Sequence, residues 1–326
     1  MFKTHLTMQL NILKKAILPR CLSGGVLLGL ICTLTGMQQA AMAQLSPMGS
    51  LYFQNQYLSN PAMAGSEEGI SLNLGIRQQW YRISGSPSMQ TFTADYGLNA
   101  KVGLGLNLYN DRAGLIKRSR TAVSYAFHLP LNDDDQKLSF GLSLGFMNER
   151  ITNEAIVGDV GDLNINRFNQ RNTYLDGDFG IAYTSNKLSL QATLPNMKTY
   201  FKRDITTTPV DRSTFFSAIS YKVQLSADRG LGIEPKVAYR GVKGFDNMLD
   251  VGANLSYANN QVNFFGMYHS SNSATFGLGL NYQSMGFNVI YTTATTALYS
   301  YASGTFEIGL KLNLFKSDDS LTKFKH

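Results

Sequence analysis

The chain alternates over most of its length. Val102, Leu104, Leu106 and Leu108 are separated by Gly103, Gly105 and Asn107, with Tyr109 following. Leu138, Phe140, Leu142, Leu144 and Phe146 alternate with Ser139, Gly141, Ser143, Gly145 and Met147. The same rhythm recurs at Phe276, Leu278, Leu280 and Tyr282, and again from Phe306 to Leu314. A helix would place apolar residues at i, i+3, i+4 and i+7, and these segments do not. They read as strands with one large apolar face and one face of Gly, Ser, Asn, Thr and few charges. Fourteen such segments begin near residues 69, 88, 101, 119, 136, 174, 187, 212, 231, 247, 261, 273, 285 and 303. Most run about ten residues, the length at which a tilted strand crosses a bilayer.

The connections differ between the two ends. Asn99-Ala100, Ser185-Asn186, Ala258 to Asn260 and Gln283-Ser284 are tight turns, while 149–173, 196–211 and 294–302 are long. Bacterial outer-membrane barrels have short periplasmic turns and longer external loops. In lipid an unpaired backbone group costs several kcal/mol, so an open sheet edge is not viable and closure is required. Tyr81, Tyr109, Tyr183, Tyr257, Tyr268, Tyr282 and Tyr291 fall near strand ends, where an aromatic girdle lies. The fold expected is all-β, a transmembrane antiparallel β-barrel of about fourteen strands, with twelve or sixteen as neighbouring counts. A soluble sandwich would alternate too, but would not need strand length, loop asymmetry and an export signal to agree.

That signal is at the N-terminus. Lys14, Lys15 and Arg20 precede an apolar run from Gly25 to Leu34, and Ala41-Met42-Ala43 is a cleavage site with Gln44 the first mature residue. The organisation expected is a signal peptide over 1–43, an N-terminal periplasmic or plug segment over 44–68, the barrel over 69–315 and a polar periplasmic tail over 316–326. Composition then changes little. The formal charge of +7 includes four cations and no acids from the signal region, so the basic excess shrinks and nucleic acid is not an expected partner. Both cysteines, Cys21 and Cys32, lie in the same region, so no Cys metal site is expected in the remainder.

Candidate chemistry is thin, and neither catalytic residues, cofactor nor metal is expected. No HExxH or CxxC occurs. His128 and His269 fall in separate strands. Gly103-Leu104-Gly105 and Gly277-Leu278-Gly279 copy half of a dinucleotide fingerprint, without the third glycine or a following helix. Asn132 to Asp135 is an acidic turn. Arg112, Lys117, Arg118 and Arg120 are expected in one external loop, and Lys198, Lys202, Arg203 and Arg212 in another, facing outer-membrane lipid and anionic lipopolysaccharide. Arg77 is expected to point into the lumen and pair with a carboxylate such as Asp95. Trp80, the single Trp, is expected at the outer end of the first strand as an interface anchor.

Several short motifs follow one another in a specific order. They are Gln56-Tyr57-Leu58-Ser59-Asn60-Pro61-Ala62-Met63-Ala64-Gly65, then Arg77-Gln78-Gln79-Trp80, then Gly85-Ser86-Pro87 with Gln90-Thr91-Phe92-Thr93. After these come Gly103-Leu104-Gly105 with Asn110-Asp111 and Gly114, and Tyr125-Ala126-Phe127-His128-Leu129-Pro130, in which Phe127 replaces the commoner Tyr. This series resembles the PorP/SprF family of type IX secretion system membrane proteins; beyond residue 145 the likeness is mainly architectural. The resemblance implies a non-enzymatic outer-membrane barrel that supports export or surface attachment of a sorting-domain cargo protein, in some members a gliding adhesin. It implies partners among the secretion components on the periplasmic side, where 44–65 and the tail are expected. The alternative left by the residues themselves is a general diffusion porin.

Overall fold

The computed structural model describes residues 49–80, 85–132, 136–151, 173–201, 213–242, 247–293 and 303–315. Ala43, Gln44, Asp133 to Asp135, the tail 316–326, and Lys202, Arg203 and Arg212 lie outside the described residues.

The strands are β1 (Gly69–Gln79), β2 (Ser88–Asn99), β3 (Val102–Ala113), β4 (Ile116–Pro130), β5 (Lys137–Ile151), β6 (Tyr174–Thr184) and β7 (Leu188–Leu194). They continue as β8 (Ser213–Tyr221), β9 (Val223–Ser226), β10 (Leu231–Val242), β11 (Met248–Tyr257), β12 (Val262–His269), β13 (Ser273–Tyr282), β14 (Met285–Thr292) and β15 (Thr305–Leu314). Strands β8 and β9 pair in succession with β10 and are separated only by Lys222, so they form one barrel position. Every neighbour is antiparallel, and β15 returns to β1, which closes a barrel of 14 strands. The seam register sets Arg77 opposite Glu307 and Ile76 opposite Ile308.

Alternation sorts the side chains as the period of two requires. Ile76, Val123, Leu142, Phe146, Phe264 and Leu310 face out and are half exposed or more. In the outer membrane this is the lipid-facing band, and it runs around the whole barrel. The inward positions are mostly buried and polar, including Thr93, Ser124, Ser143, Thr193 and Asn263.

The turns at one end are short, with Ala258, Asn259 and Asn260 in the left-handed region at φ 52, 54 and 71. One hairpin at the opposite end is also tight. β3 turns into β4 through Gly114 and Leu115, with Gly114 at φ 60, where a Cβ would be strained. This corrects the placement of the first basic group. Arg112, Lys117, Arg118 and Arg120 belong to paired strands rather than to a loop. Arg112 and Lys117 are exposed, while Arg120 is buried and faces in. The ladder fixes side by parity, and residues two apart share a face. Lys198 opens a short helical turn, Lys198–Phe201, with its ammonium 3.9 Å from the centroid of the Tyr174 ring.

Candidate functional site

The lumen is occupied by the chain's own N-terminal segment. Residues 49–65 form three 3-10 turns, Leu51–Phe53, Gln56–Leu58 and Pro61–Met63. The sequence accounts for the third turn. Pro61 holds its fixed φ at the start, and the Asn60 side chain accepts from the Ala62 N–H at 2.9 Å. Tyr52, Tyr57, Asn60, Ala62 and Ala64 are almost wholly enclosed.

The segment runs the length of the bore. At the end carrying the long connections, the Ser50 N–H donates to both Glu307 carboxylate oxygens at 2.9 Å, and the Leu51 N–H donates to Glu307 Oε2 at 3.2 Å. Midway, Tyr57 Oη donates to Ser124 Oγ at 2.9 Å, and Gln191 Nε2 donates to Gln56 Oε1 at 2.7 Å. Lower, Asn60 Nδ2 donates to the Ile181 carbonyl at 3.1 Å. At the short-turn end, the Gly65 N–H donates to Asp95 Oδ2 at 3.1 Å. His128 is wedged between the Ala64 carbonyl, 3.0 Å from Nε2, and Ser139 Oγ, 2.8 Å from Nδ1. A carbonyl only accepts, so in the neutral ring Nε2 carries the proton and Nδ1 accepts from Ser139.

Glycines make the room. A Cβ at Gly141 would fall on the Ala62 backbone nitrogen, one at Gly180 on Asn60 Oδ1, one at Gly103 on the Ala64 carbonyl and one at Gly105 on the Tyr57 ring. The repeated Gly on the inward face of β3, β5 and β6 is thus the mould of the segment.

The inward face is more charged than its sequence suggested, which corrects the reading of few lumen charges. Asp250 is 1% exposed and joins three groups: Arg240 Nη2 at 2.7 Å, His269 Nδ1 at 2.5 Å and Tyr52 Oη, which donates at 2.7 Å. Lys236 Nζ lies 4.5 Å from the Phe53 ring centroid and donates to its carbonyl at 3.3 Å. Phe53 stacks on Phe265 at 5.2 Å, and Tyr52 meets Phe216 edge-on at 5.6 Å. The phenols of Tyr52 and Tyr57 lie outside the spanning strands, and burial pushes both above the ordinary tyrosine value.

Arg77 points inward as the alternation requires, but its partner is Glu307, with Nε 3.7 Å from the carboxylate. The seam register sets those two residues opposite each other, whereas Asp95 lies further down β2 and receives Gly65. Asp250, His269 and Thr275 line up as acid, imidazole and hydroxyl, with Thr275 Oγ1 2.7 Å from Nε2. Such a relay works only if the hydroxyl meets a substrate. Thr275 is 0% exposed and its hydroxyl sits 2.7 Å from Thr292 Oγ1 and 3.3 Å from Ser50 Oγ. The relay therefore braces the segment.

The remaining motif positions divide between the bore and its rim. Gln79 is buried and its N–H donates to the Pro87 carbonyl at 2.9 Å. Trp80 follows β1 at φ 46, half-buried, its N–H donating to the Gly304 carbonyl at 3.1 Å. Gln90 and Asn110 face out, and Asn110 Oδ1 accepts from Ser119 Oγ at 3.0 Å. Asp111 lies 3.8 Å from Arg118. Sequence reasoning missed Glu307, Asp250, Arg240 and Lys236; the available signal was a charge at an inward position of a spanning strand.

Among solved structures the chain is similar to the CymD monoaromatic hydrocarbon channel, at 11% identity and a TM-score of 0.47, covering 84% of this chain and 94% of that one. It is also similar to Omp33 of Acinetobacter baumannii, at 8% identity and a TM-score of 0.45, covering 77% and 100%. The toluene transporter TodX of Pseudomonas putida gives 9% identity and a TM-score of 0.45, covering 82% and 94%. Comparison with curated proteins gave no match. The profile of the type IX secretion system membrane protein PorP/SprF matches residues 41–312, nearly all of the barrel and its luminal segment. On that match the chain belongs to the PorP/SprF family of type IX secretion system membrane proteins.

Proposed function

We propose that this outer-membrane barrel is a non-enzymatic component of the type IX system that supports export or surface attachment of a sorting-domain cargo protein. In this reading the cargo docks at the end with the long connections and secretion components dock at the other. The observation that carries it is the filled bore. Residues 49–65 touch every strand from β1 to β8 and from β10 to β15, through Leu51 on β1, Gln56 on β7, Tyr52 on β8 and β11, and Ser50 on β13, β14 and β15 among others. A diffusion porin needs an open constriction, and this chain puts its own backbone there. What remains for the barrel to offer is two faces and a rigid wall, which suits a docking or anchoring part.

The test is a tagged copy purified from cross-linked native outer membranes, with companions identified by mass spectrometry. A sorting-domain protein or periplasmic secretion components in the eluate are expected. A barrel recovered alone, with steady conductance in a planar bilayer, would favour the porin instead.

A further inference from the structure

The luminal segment does not fill both halves of the bore alike. Its first turn packs aromatic rings against β8, β10 and β12. On the opposite side the second and third turns only make a floor. Above them stands a cavity with about 950 Å³ of empty space, its open mouth included. Its walls are the upper parts of β3 to β7, and it reaches the end that carries the long connections.

Three observations describe what would fit there. The first is a pair of unused hydrogen-bonding groups. Thr193 lines the cavity, is 2% exposed, and its Oγ1 has no hydrogen-bond partner among the described residues. Asn107 Oδ1, also in the lining, has none among them either. Buried polar groups are as a rule satisfied, so the occupant is the source of what the wall lacks. Asn107 Oδ1 only accepts and needs a donor, while the Thr193 hydroxyl both donates and accepts. The second is a wall whose charges already engage one another. Arg118 lies 3.8 Å from Asp111 and 3.4 Å from Glu149. Arg120 lies 2.6 Å from Asp178, which also accepts from Ser143 Oγ at 2.7 Å and from the Asn196 N–H at 2.9 Å. A charged ligand would have to take a partner from one of these pairs, and breaking a buried pair is costly. A neutral one would not. Such a wall still alternates donors with acceptors, and neighbouring hydroxyls match that alternation because each can do both. The third is the apolar part of the lining, where Tyr109, Met89 and Met147 offer a ring and thioethers beside the polar groups. The C–H face of a sugar ring lies well on such a surface.

From these we infer that the cavity is a binding site for a neutral saccharide that enters from the end with the long connections. One of its hydroxyls bonds to Thr193, another donates to Asn107 Oδ1, and a ring face lies over Tyr109. The site is defined by this chain alone and does not depend on the docking of a cargo. Two sources supply such a sugar at that end: an oligosaccharide outside the cell, or the sugar part of lipopolysaccharide in the same leaflet.

The test applies the tagged full-length barrel, in phospholipid nanodiscs, to an array of neutral and acidic oligosaccharides. Binding is expected to concentrate on neutral glycans, and the best of them is then titrated by calorimetry. Thr193→Val, which keeps the side-chain shape, is expected to lower its affinity about fivefold, the worth of one hydrogen bond. Asn107→Leu, close to Asn in size, is expected to do the same. Neither atom is bonded in the empty barrel, so urea unfolding without glycan is expected to match the wild type for Thr193→Val, which separates lost recognition from lost folding. If Asn107→Leu does not fold, Thr193→Val decides. No binding to any glycan, preference for acidic glycans, or wild-type affinity in a folded Thr193→Val barrel overturns the site. Repeating the titration with lipopolysaccharide in the nanodiscs separates the two sources, since only a site that takes the sugar of its own leaflet is then blocked. Glycan binding by a barrel that co-purifies with no cargo would sink the docking reading and leave the site standing. Co-purified cargo with no glycan binding would do the reverse.

Discussion

The two ends of the luminal segment are seated by different physics. At the end with the long connections, charges grip it: Glu307 holds two backbone N–H groups, and Asp250, paired with Arg240 and His269, accepts the Tyr52 hydroxyl. At the short-turn end the hold is mostly shape. Gly103 and Gly141 leave gaps that the backbone of 61–64 fills, Gly180 leaves one for the Asn60 side chain, and Ala62 and Ala64 are 0% exposed. A polar seat fails when a partner is removed, and a steric seat fails when an atom is added. The two should therefore break under opposite kinds of substitution.

The largest effect is expected at the polar end. Asp250→Ala strands Arg240 in the bore and frees His269 and Tyr52, a loss of about 3–5 kcal/mol typical of a broken buried pair. Urea unfolding from nanodiscs measures it, and a loss under 1 kcal/mol would show that the charges are not the grip. Next comes Gly141→Val. Its side chain meets the Ala62 backbone, which cannot rotate away, so a loss of about 2–3 kcal/mol from overpacking is expected, together with a larger single-channel current than the wild type gives. A Gly141→Val barrel of wild-type current and stability would remove the steric half of the comparison. Glu307→Gln keeps the shape and removes the charge facing Arg77 and the two N–H groups, so about 2 kcal/mol is expected from the same unfolding curves. Smallest is Tyr57→Phe, which deletes one hydrogen bond to Ser124 midway along the bore, about 1 kcal/mol. A larger loss than that of Glu307→Gln would place the main anchor in the middle rather than at the ends.

The barrel was legible because period two is a direct imprint of a sheet with two different faces. Strand starts read from alternation at 69, 88, 174, 231, 273 and 285 coincide with the observed ones. The β3–β4 hairpin shows the limit. Lys117, Arg118 and Arg120 look like one basic loop, yet the ladder continues through them and sends Arg120 inward while Lys117 stays outside. Composition hid what parity would have separated. The luminal segment has no period because its side chains answer to the inside of a cylinder rather than to a flat face. Its trace in the sequence lies elsewhere, in the inward glycines of β3, β5 and β6. Gly103-Leu104-Gly105 was legible as small residues on the lumen side, and what they leave room for was not. Glu307 lies within a strand that otherwise reads as a terminal apolar ladder, and it is a ligand for two backbone amides.

Glu307 also bears on the order of assembly. It sits on the last strand, faces Arg77 on the first, and binds Ser50 at a sequence separation of 257 residues. Contacts so distant along a chain form late, because most of the intervening chain must be in place before the ends can meet. The residue that helps zip the seam is the one that hooks the top of the luminal segment. Closing the wall and loading the bore are consequently a single terminal event. A half-built barrel with its seam open lacks the hook, and its bore stays unlatched until the final strand arrives.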